Sequence, residues 1–395
     1  MDHRARPVVR EERDHPLGRA AKAGTGALLV RRWEFDFDLV AGTPGTGSVG
    51  PMWHRESVVS TGDLTLSSLG LDVDPVVDAS VTATLAAVEE ALRANVASAD
   101  PLVADAARHL ADAGGKRFRP LLVALGAQFG DPAATDIIAA ANVVELTHLA
   151  TLYHDDVMDE ATVRRGAPSA NSRWGNSVAI LVGDYLFARA ADIAASLGPE
   201  AVHLQARTFA RLVHGQIAET VGPRDADPIE HYLHVITEKT GSLIATSARF
   251  GGLFSGAPAE FVEALAGFGE AMGIAFQLSD DLLDIASESD QSGKTPGTDL
   301  REGVPTLPVL YALAGDDTDA SAVRLREILA TGPITNDALH AEALTLLRES
   351  AAMKRARETV RTYAEEARAQ LAPLPEGDAK RAMEALCDFI ADRTS

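Results

Sequence analysis

The segment DIIAAANVVELTHLATLYHDDVMD, residues 136–159, decides the fold class of this chain. Its apolar residues recur at spacings of three and four, which is the pattern of a helix with more than one buried face. Alanine has the highest helix propensity, and the β-branched residues are too scattered to alternate as they would in strands. Residues 76–98, 261–286 and 340–371 repeat the pattern. We therefore predict an all-α protein whose helices surround a central cavity.

The N-terminal part of the chain has a different character. Residues 41–51, AGTPGTGSVGP, are rich in Gly, Pro, Thr and Ser, which is typical of a flexible linker. The apolar patches before them, such as GALLV, are too short to form a core. We expect residues 1–70 to be a disordered N-terminal extension, with Met52 as an alternative start, and residues 71–395 to form a single large domain.

The composition excludes several classes of protein. The chain has 36 Lys and Arg against 57 Asp and Glu, a formal net charge of -21, which excludes a general nucleic-acid binder because such binding depends on cations that neutralise phosphates. A single cysteine, Cys387, excludes an internal disulfide framework and indicates a reducing, cytoplasmic setting. The most apolar stretch, which begins at Ser177, is interrupted by Asp184 and Arg189, so no transmembrane helix is predicted.

Two acidic clusters carry the candidate chemistry, and each ends a long apolar helix with the spacing D-D-x-x-D. The first motif consists of Asp155, Asp156 and Asp159, and the second of Asp280, Asp281 and Asp284. On a helix the first and last aspartates of a motif share a face, with the middle one about 100° round. Such carboxylates suit Mg²⁺, which keeps several waters and is completed by substrate phosphates. One motif alone is more often a solvated acidic face, but two copies favour metal binding.

Positive charges fall where they complement these acids. The segment GGKRFRP, residues 114–120, is a turn entering a helix, where backbone N–H groups also favour an anion. Arg164 and Arg165 follow the first motif, Lys239 lies in a helical run, and Lys294 lies in a glycine-rich loop after the second motif. The G-x-x-x-x-G-K-[ST] phosphate loop is absent, which disfavours a P-loop enzyme. Together the acids and bases predict a cavity for more than one diphosphate, bridged by Mg²⁺.

The sequence closely resembles the all-trans polyprenyl diphosphate synthases, the polyprenyl synthetase family. The resemblance covers residues 75–395 and rests on GGKRFRP, ELTHLATLYHDDVMDEATVRRG, GDYLFARA, HGQ, KTG, FQLSDDLLD and GKTPGTDLREGVPTLP, in that order. It implies an isoprenoid-synthase-type helical catalytic domain. It also implies a prenyltransferase of the medium- or long-chain type, such as a heptaprenyl or octaprenyl diphosphate synthase.

The resemblance also assigns roles to individual residues. The six aspartates of the two motifs would bind about three Mg²⁺ ions, with Mn²⁺ as a substitute, that hold the allylic diphosphate. The residues that match the isopentenyl diphosphate site are Lys116, Arg119, His148 and Arg165. The residues that match the allylic diphosphate side are Arg164, Lys239, Thr240, Gln277 and Lys294. Among these, the implied catalytic residues are Lys239, Thr240 and Gln277.

Two positions need separate comment. A lone histidine on a helix is more often a core residue, but His148 lies seven residues before Asp155 and therefore on the same helix face, which favours a ligand role. Many relatives carry a lysine where this chain has Val304, so one contact to the allylic phosphate is missing by comparison.

The implied reaction is ionisation, condensation and elimination. Metal ions and cations would stabilise the leaving diphosphate, the isopentenyl double bond would attack the allylic cation, and a proton would then be lost. The resemblance further implies a homodimer packed through helices. A membrane-active product suggests transient membrane contact, although no basic amphipathic helix indicates a permanent anchor.

Product length in this family is gated by the residues four and five positions before the first aspartate, here Thr151 and Ala150. Short-chain enzymes commonly have an aromatic side chain there, or a two-residue insertion in the motif, and this chain has neither. We therefore expect a product of about C30 to C50, because small side chains leave a pocket open. Such a product would serve as the tail of a respiratory quinone.

Three alternatives stay open at this point. A short-chain farnesyl or geranylgeranyl diphosphate synthase would differ only in the depth of the channel. A class I terpene cyclase shares the fold and the first motif, but usually pairs it with an Asn/Ser/Glu metal motif and would not need GGKRFRP. A non-catalytic subunit of a synthase tends to lose aspartates, whereas all six are present here.

Overall fold

The structure, a computed structural model, describes residue 66 and residues 74–115, 117–287, 296–316 and 318–393. Apart from Leu66, the expected N-terminal extension, residues 1–70, lies outside the described residues. Two of the predicted phosphate-binding lysines, Lys116 and Lys294, lie outside them as well.

The described residues form an all-α domain, as the sequence predicts, with one short hairpin. The helices are α1 (Pro75–Asn95), α2 (Pro101–Asp112), α3 (Phe118–Ala127), α4 (Asp136–Met158), α5 (Ala170–Trp174), α6 (Asn176–Leu197), α7 (Pro199–Val221), α8 (Pro228–Ile236), α9 (Ser242–Phe254), α10 (Ala259–Ala286), α11 (Thr298–Glu302), α12 (Leu307–Ala314), α13 (Ala320–Leu329), α14 (Asp337–Glu349), α15 (Ala351–Gln370) and α16 (Asp378–Asp392). The hairpin pairs β1 (Val163–Arg164) with β2 (Ala167–Pro168) in antiparallel register.

Local sequence explains where several helices begin. Helices α1, α2 and α8 each start with an aspartate followed by proline. The capping residues are Asp74, Asp100 and Asp227, and each carboxylate accepts a hydrogen bond from the backbone N–H two residues further on. Proline suits the first helical position because its missing N–H would have no partner there, and the aspartate oxygen satisfies one of the remaining orphan donors.

Two long helices hold the core together. Most of α4 is buried, and it packs on α6, α9, α3 and α1. On the other side, α10 packs on α9 and α15. The acidic motifs lie at the C-terminal ends of these two helices, so the arrangement of α4 and α10 determines where the candidate chemistry lies.

A π-helical turn, Thr237–Gly241, separates α8 from α9. Neighbouring helices approach it closely through glycines: a Cβ at Gly215 of α7 would lie 2.9 Å from the Lys239 backbone nitrogen, and one at Gly273 of α10 would lie 2.8 Å from the Gly241 Cα. Single π-helical turns inside helices often occur at functional sites. Here the turn lies between the helices that carry the other candidate residues.

One described helix, α10, is long and apolar enough to cross a membrane by length and composition. However, 67% of its most apolar window is buried within the domain. Because it packs on α9 and α15, it has the character of a core helix.

Candidate active site

One face of α4 carries three of the predicted functions in succession. His148, Thr151 and Asp155 are spaced i, i+3 and i+7, so their side chains lie along the same side of the helix. His148 is at the level of the predicted isopentenyl diphosphate site, Thr151 lines a cavity, and Asp155 begins the first aspartate motif. The helix therefore aligns an anion-binding region, an apolar space and a metal-binding motif along one side.

Each carboxylate of the first motif has a buried oxygen, and the three carboxylates are only partly satisfied. One oxygen, Oδ2, of each of Asp155, Asp156 and Asp159 is buried and makes no hydrogen bond with the part of the chain that the structure describes. Burial raises the pKa of Asp155 and of Asp156. Burial, with the nearby charges of Asp155 and Glu219, raises the pKa of Asp159 to about 8, although Lys239 opposes the shift. Left without cations, these acids hold protons more tightly than they would in water.

Asp156 differs from its neighbours because it forms a fully buried ion pair. Its Oδ1 lies 2.6 Å from Nε of Arg164, and both side chains have 0% exposure. The β1–β2 hairpin brings Arg164 back to the end of α4. The predicted allylic ligand Arg164 is therefore enclosed behind the motif in this conformation, where it neutralises Asp156.

The π-helical turn presents polar side chains to both motifs, by charge to the first and through hydrogen bonds to the second. Nζ of Lys239 lies 2.7 Å from Oε2 of Glu219, and both side chains are buried. Burial alone would lower the pKa of Lys239, but the charges of Glu219 and Asp155 outweigh it, so the pKa is raised and the amine stays charged. The hydroxyl of Thr240 donates to Oε1 of Gln277 over 3.2 Å. The three predicted catalytic residues therefore lie together between α7 and α10.

The second motif is held by protein donors. Gln277 donates to Oδ1 of Asp281 over 3.0 Å, and the hydroxyl of Tyr232 donates to Oδ2 of the same carboxylate. Burial raises the pKa of Asp281 to about 8, although these hydrogen bonds oppose the shift. The carboxylate of Asp284 accepts from the backbone N–H groups of residues 298 and 299, both at 3.2 Å. Oδ1 of Asp280 lies 2.6 Å from Nη2 of Arg393.

These carboxylates fit a divalent cation, although the side chains are not preassembled around one. Within the described ranges, no three Asp, Glu, His or Cys side chains converge closely enough to form a metal site by themselves. The buried Oδ2 atoms of the first motif are nonetheless hard oxygen donors that lack a partner there. Such oxygens suit Mg²⁺, whose remaining positions are usually filled by water and substrate phosphate.

The predicted isopentenyl diphosphate residues form a cationic pocket. Burial, together with the charges of Arg119 and Arg165, lowers the pKa of His148 well below its ordinary value, so the imidazole is neutral. Burial lowers the pKa of Arg119 to about 10. The charge of Glu145 opposes this shift, and the charge of Arg165 adds to it. A nearly buried group of cations that repel one another is stabilised by a bound anion. The structure thus brings Arg119, His148 and Arg165 together, while Lys116 is outside the described residues.

The turn before α3 is shaped to admit these arginines. Gly115 has φ +129°, and a Cβ there would lie 3.0 Å from the guanidinium carbon of Arg165. Glycine tolerates this conformation and leaves room for the guanidinium. Arg165 donates to the carbonyl oxygen of Leu110 over 2.9 Å and to that of Gly114. The backbone of the GGKRFRP segment therefore positions Arg165 as well as its own cations.

Sequence reasoning missed two residues that organise this site. Arg117, in the left-handed conformation with φ +46°, forms buried ion pairs with Glu89 at 2.8 Å and Glu145 at 2.9 Å. These ion pairs fix the turn before α3 to helices α1 and α4. The guanidinium of Arg117 is therefore engaged by protein carboxylates and does not serve to bind substrate. The other is Glu219, which is three residues after Gln216 of the HGQ segment; the helical spacing was the available signal.

An apolar cavity of about 90 Å³ lies below the first motif. It is lined by Thr151, His154, Asp155, Met158, Phe187, Phe209, Leu212, Val213, Gln216 and Lys239. The rings of Phe187 and Phe209 lie 4.2 Å apart and form the wall toward α6 and α7. Ala150 does not line this cavity; it is fully buried in the apolar cluster between α4 and α6. The two predicted gating positions therefore face different surroundings, since they are adjacent on a helix and point about 100° apart.

Val304 lies in an apolar setting. It is 2% exposed and lines a separate cavity of about 30 Å³ with residues that include Glu219, Tyr232 and Leu310. The position is close to the ring whose hydroxyl holds Asp281, but it offers no charge to a phosphate.

Comparison with known proteins identifies the family of this chain. The profile of the family described as polyprenyl synthetase matches residues 100–347. A nonaprenyl diphosphate synthase of Mycobacterium tuberculosis is 54% identical over 327 residues, which cover 82% of this chain and 97% of that protein. Component 2 of a heptaprenyl diphosphate synthase from Geobacillus stearothermophilus is 39% identical, over 78% of this chain and 95% of that protein.

A solved structure is similar over the same part of the chain. The geranylgeranyl pyrophosphate synthase of Corynebacterium glutamicum, crystallised with calcium and isoprenyl diphosphate, superposes with a TM-score of 0.74 at 48% identity. The match covers 82% of this chain and 98% of that one.

Proposed function

This chain belongs to the polyprenyl synthetase family and is a prenyltransferase, and on that premise we propose how its residues perform the reaction. It condenses isopentenyl diphosphate with an allylic diphosphate to make an all-trans polyprenyl diphosphate. The observation that carries the proposal is the single face of α4, on which His148, Thr151 and Asp155 follow one another. The site thus places an apolar cavity next to anion-binding cations and metal-binding carboxylates. A charged substrate with a hydrocarbon tail requires such an arrangement.

The isopentenyl diphosphate binds in the pocket of Arg119, His148 and Arg165, and we propose Lys116, which lies outside the described residues, as a further ligand. Two guanidinium groups can grip phosphate oxygens through paired hydrogen bonds. The neutral imidazole of His148 can donate one hydrogen bond without adding to the repulsion between the arginines. A bound anion would raise the pKa of Arg119 and so offset the lowering that burial causes.

The allylic diphosphate lies between the two aspartate motifs. Divalent ions, which we propose to be about three Mg²⁺ held by the six aspartates, would supply electrophilic stabilisation of the leaving diphosphate. Lys239, fixed by Glu219, presents a cation beside Asp155 and Asp159. Arg164 neutralises Asp156 and holds the end of α4 in place, and we propose that it reaches the diphosphate when the site closes. We also propose Lys294, which lies outside the described residues, as a ligand of the allylic diphosphate.

Thr240 and Gln277 act on the reacting carbons. Their oxygen atoms are linked by a 3.2 Å hydrogen bond, and the amide of Gln277 is itself fixed on Asp281. Dipoles held in this way stabilise developing positive charge without having to reorient during the reaction. Below them, Met158, Phe187 and Leu212 surround the growing chain and exclude water from the carbocation.

We further propose a medium- or long-chain product, about C30 to C50, because the small Thr151 side chain leaves the cavity open. The 54% identical nonaprenyl diphosphate synthase supports this length. A short-chain product is the second candidate, since the cavity of about 90 Å³ is small and the 48% identical neighbour is a geranylgeranyl pyrophosphate synthase.

A direct assay tests both parts of the proposal. The protein is incubated with Mg²⁺, labelled isopentenyl diphosphate and dimethylallyl, geranyl or farnesyl diphosphate, and the dephosphorylated products are sized by thin-layer chromatography. We expect elongated products with at least one primer. Failure of all three primers would contradict the prenyltransferase mechanism, whereas products that stop at geranylgeranyl would favour the short-chain candidate.

The gating role of Thr151 has its own test. Thr151→Phe should shorten the main product, because the ring would fill the cavity beside Phe187 and Phe209. Thr151→Val, which keeps the size of the side chain, serves as the control and should leave product length unchanged. Ala150→Phe would instead overpack a fully buried cluster, so its effect on stability must be measured before its products are interpreted.

We propose that the protein is a homodimer joined through α6 and α7. Helix α7 carries a stripe of exposed apolar side chains beside Ile180 and Leu181 of α6, and two members of the stripe also line the cavity. The stripe consists of Val202, Phe209, Val213, Ile217 and Val221, of which Phe209 and Val213 line the cavity. Such a stripe on two adjacent helices suits an isologous interface, in which a second copy presents the same surface. Sedimentation should give twice the chain mass, and Ile217→Glu should give a monomer; a complex with a different subunit would contradict the proposal.

We propose a cytoplasmic location with transient membrane contact for product release. The single thiol, Cys387, is buried, and burial raises its pKa to about 12, so it is poorly suited to disulfide exchange. Fractionation of the native host should place the protein in the soluble fraction, with a small share on membranes while substrate is turned over.

A further inference from the structure

The C-terminal helix reaches the second aspartate motif through one arginine. Arg393 directly follows α16, and its guanidinium makes three hydrogen bonds to one turn of α10. Nη2 lies 2.6 Å from Oδ1 of Asp280 and 3.0 Å from the carbonyl oxygen of Phe276, while Nε lies 2.6 Å from Oγ of Ser279. In sequence, Arg393 is 113 to 117 positions from the three residues that it contacts.

The guanidinium lies in a shaped socket. Its carbon is 4.6 Å from the centroid of the Phe276 ring and 5.9 Å from that of Phe389, so it is flanked by two aromatic rings. The side chains of Arg393 and Asp280 are only 16% and 19% exposed. Phe276 in turn stacks on Phe118, at 5.6 Å between centroids, and Phe118 begins α3 just after the cationic turn. Arg393 therefore contacts the second motif directly and is linked to the start of α3 through the stacked rings of Phe276 and Phe118.

This contact opposes metal binding at the same carboxylate through charge repulsion. An oxygen that accepts a 2.6 Å hydrogen bond from a guanidinium has that lone pair engaged, and a divalent cation placed on the carboxylate would repel the guanidinium at short range. We propose that Arg393 is a counter-ion of Asp280 in the metal-free enzyme and that a divalent ion binding at the second motif displaces it. The end of α16 is thereby coupled to metal occupancy. This inference rests on the proposed metal-binding role of the second motif.

The ion pair of the first motif is more enclosed. Arg164 and Asp156 are both fully buried, so a metal ion reaches Asp156 only together with the movement of Arg164 that closes the site. Arg393, in contrast, directly follows the last described helix and is 16% exposed, so its displacement breaks its contacts with Asp280, Ser279 and Phe276 but does not require a helix to unfold. Arg393 is therefore a positioning residue that acts through Asp280.

Direct metal titration tests the exchange. Binding of Mn²⁺ to the dimer, in the absence of any diphosphate, is followed by the electron paramagnetic resonance signal of free Mn²⁺. Arg393→Gln should bind the second-motif ion about fivefold more tightly, because the ion no longer competes with a guanidinium. Arg393→Lys, which keeps the charge, should stay within about twofold of the wild type. Arg381→Gln, on the same helix and paired with Asp378, is the matched control and should change nothing.

A double-mutant cycle assigns the effect to Asp280. In an Asp280→Asn background the Arg393→Gln substitution should no longer change Mn²⁺ affinity, since the shared partner is gone. Hydrogen exchange gives a second measure: Mn²⁺ should accelerate exchange of the amides in residues 386–393 of the wild type. Unchanged or weaker Mn²⁺ binding by Arg393→Gln would overturn the inference, because the guanidinium would then orient the carboxylate for the ion.

The outcomes separate this inference from the proposed function. If product forms with Mg²⁺ but Arg393→Gln leaves Mn²⁺ affinity unchanged, the exchange is wrong and the reaction stands. If Asp280→Asn alone leaves the Mn²⁺ titration unchanged, Asp280 does not bind the ion, and both the exchange and the metal assignment of Asp280 are wrong. If no primer is elongated, the proposed function fails whatever the titration gives.

Discussion

The two aspartate motifs have the same spacing and end similar helices, yet their surroundings differ. In the first motif, Oδ2 of Asp155 and of Asp159 is buried without a hydrogen-bond donor from the residues the structure describes. In the second, Asp281 is held by Tyr232 and Gln277, and Asp284 accepts from two backbone N–H groups. The spacing of a motif therefore supplies the carboxylates, but the neighbouring elements decide what stabilises them.

The difference has an energetic consequence. A buried oxygen without a partner loses the hydrogen bonds of water and gains nothing in return, which costs on the order of 1–3 kcal/mol. The first motif is thus poised for an incoming cation, whereas a cation at the second motif must compete with protein donors. We expect the first motif to contribute more to binding and catalysis.

The largest predicted effect compares one aspartate from each motif. Asp155→Asn should lower kcat/KM about 10³-fold, because it removes a charged oxygen from the ion-binding face. Asp284→Asn should lower it only about tenfold, since an amide oxygen can still accept from the backbone N–H of residue 298. Steady-state assays at saturating Mg²⁺ measure both.

Stability provides the control for this pair. Because Oδ2 of Asp155 has no donor to lose, Asp155→Asn should leave the free energy of unfolding of the metal-free protein unchanged within about 0.5 kcal/mol, or raise it. Urea unfolding in the presence of a chelator measures this. Equal losses of activity in Asp155→Asn and Asp284→Asn would break the contrast between the motifs.

The second prediction concerns pH. Burial raises the pKa of Asp159 and of Asp281 to about 8, so the folded state binds protons that the unfolded state has already lost at neutral pH. The contribution of these two carboxyl groups to the free energy of unfolding is fully present below their pKa in the unfolded state. It is lost as the pH rises toward about 8, their pKa in the folded state. The metal-free protein should therefore lose about 2 kcal/mol or more of stability between pH 6 and pH 8.

Metal and diphosphate should reduce this loss, because ion binding favours the deprotonated carboxylates. Urea unfolding at the two pH values, with chelator or with Mg²⁺ and inorganic diphosphate, measures the difference. Stability that rises with pH in the presence of chelator would contradict the prediction.

The third prediction concerns the lysine that faces the first motif. Glu219→Gln removes the charged partner of Lys239, whose ammonium should then turn toward Asp155 and Asp159 and compete with the ion. We expect kcat/KM to fall about tenfold, with most of the loss recovered at high Mg²⁺. Glu263→Gln, in an exposed pair with Arg249, is the control. A loss that does not depend on Mg²⁺ would indicate a different role for Glu219.

Much of this comparison was accessible from sequence. Apolar periodicity predicts the all-α fold, and helical spacing places His148 and Asp155 on one side of α4; the structure has both features. These inferences succeed because they depend on residues within a few turns of one helix. The same spacing argument also explains why Thr151 faces the cavity and Ala150 does not.

The partners of the carboxylates were not accessible, because they come from distant parts of the chain. Tyr232 and Arg393 reach the second motif from α8 and from the C-terminal end of α16. Glu219 meets Lys239 only because Gly215 lets α7 approach a π-helical turn that has no sequence signature. Arg164 resembles a phosphate ligand in sequence, yet the hairpin encloses it against Asp156.

The smallest predicted effect makes the second motif more like the first. Tyr232→Phe removes the hydroxyl that donates to Oδ2 of Asp281 and leaves the ring in place, since the side chain is buried beside Val304 and Leu310. With one donor fewer, burial should raise the pKa of Asp281 further, so the carboxylate holds its proton to higher pH. We expect kcat/KM at pH 7 to fall about threefold and to recover toward the wild-type value above pH 8, as the proton is lost.

A pH profile of kcat/KM from pH 6 to pH 9, with Tyr311→Phe as a control for loss of a different tyrosine hydroxyl, measures the shift. A uniform loss at every pH would mean that Tyr232 contributes through packing, and the contrast between a donor-rich and a donor-poor motif would then have to rest on Asp280 and Asp284 alone.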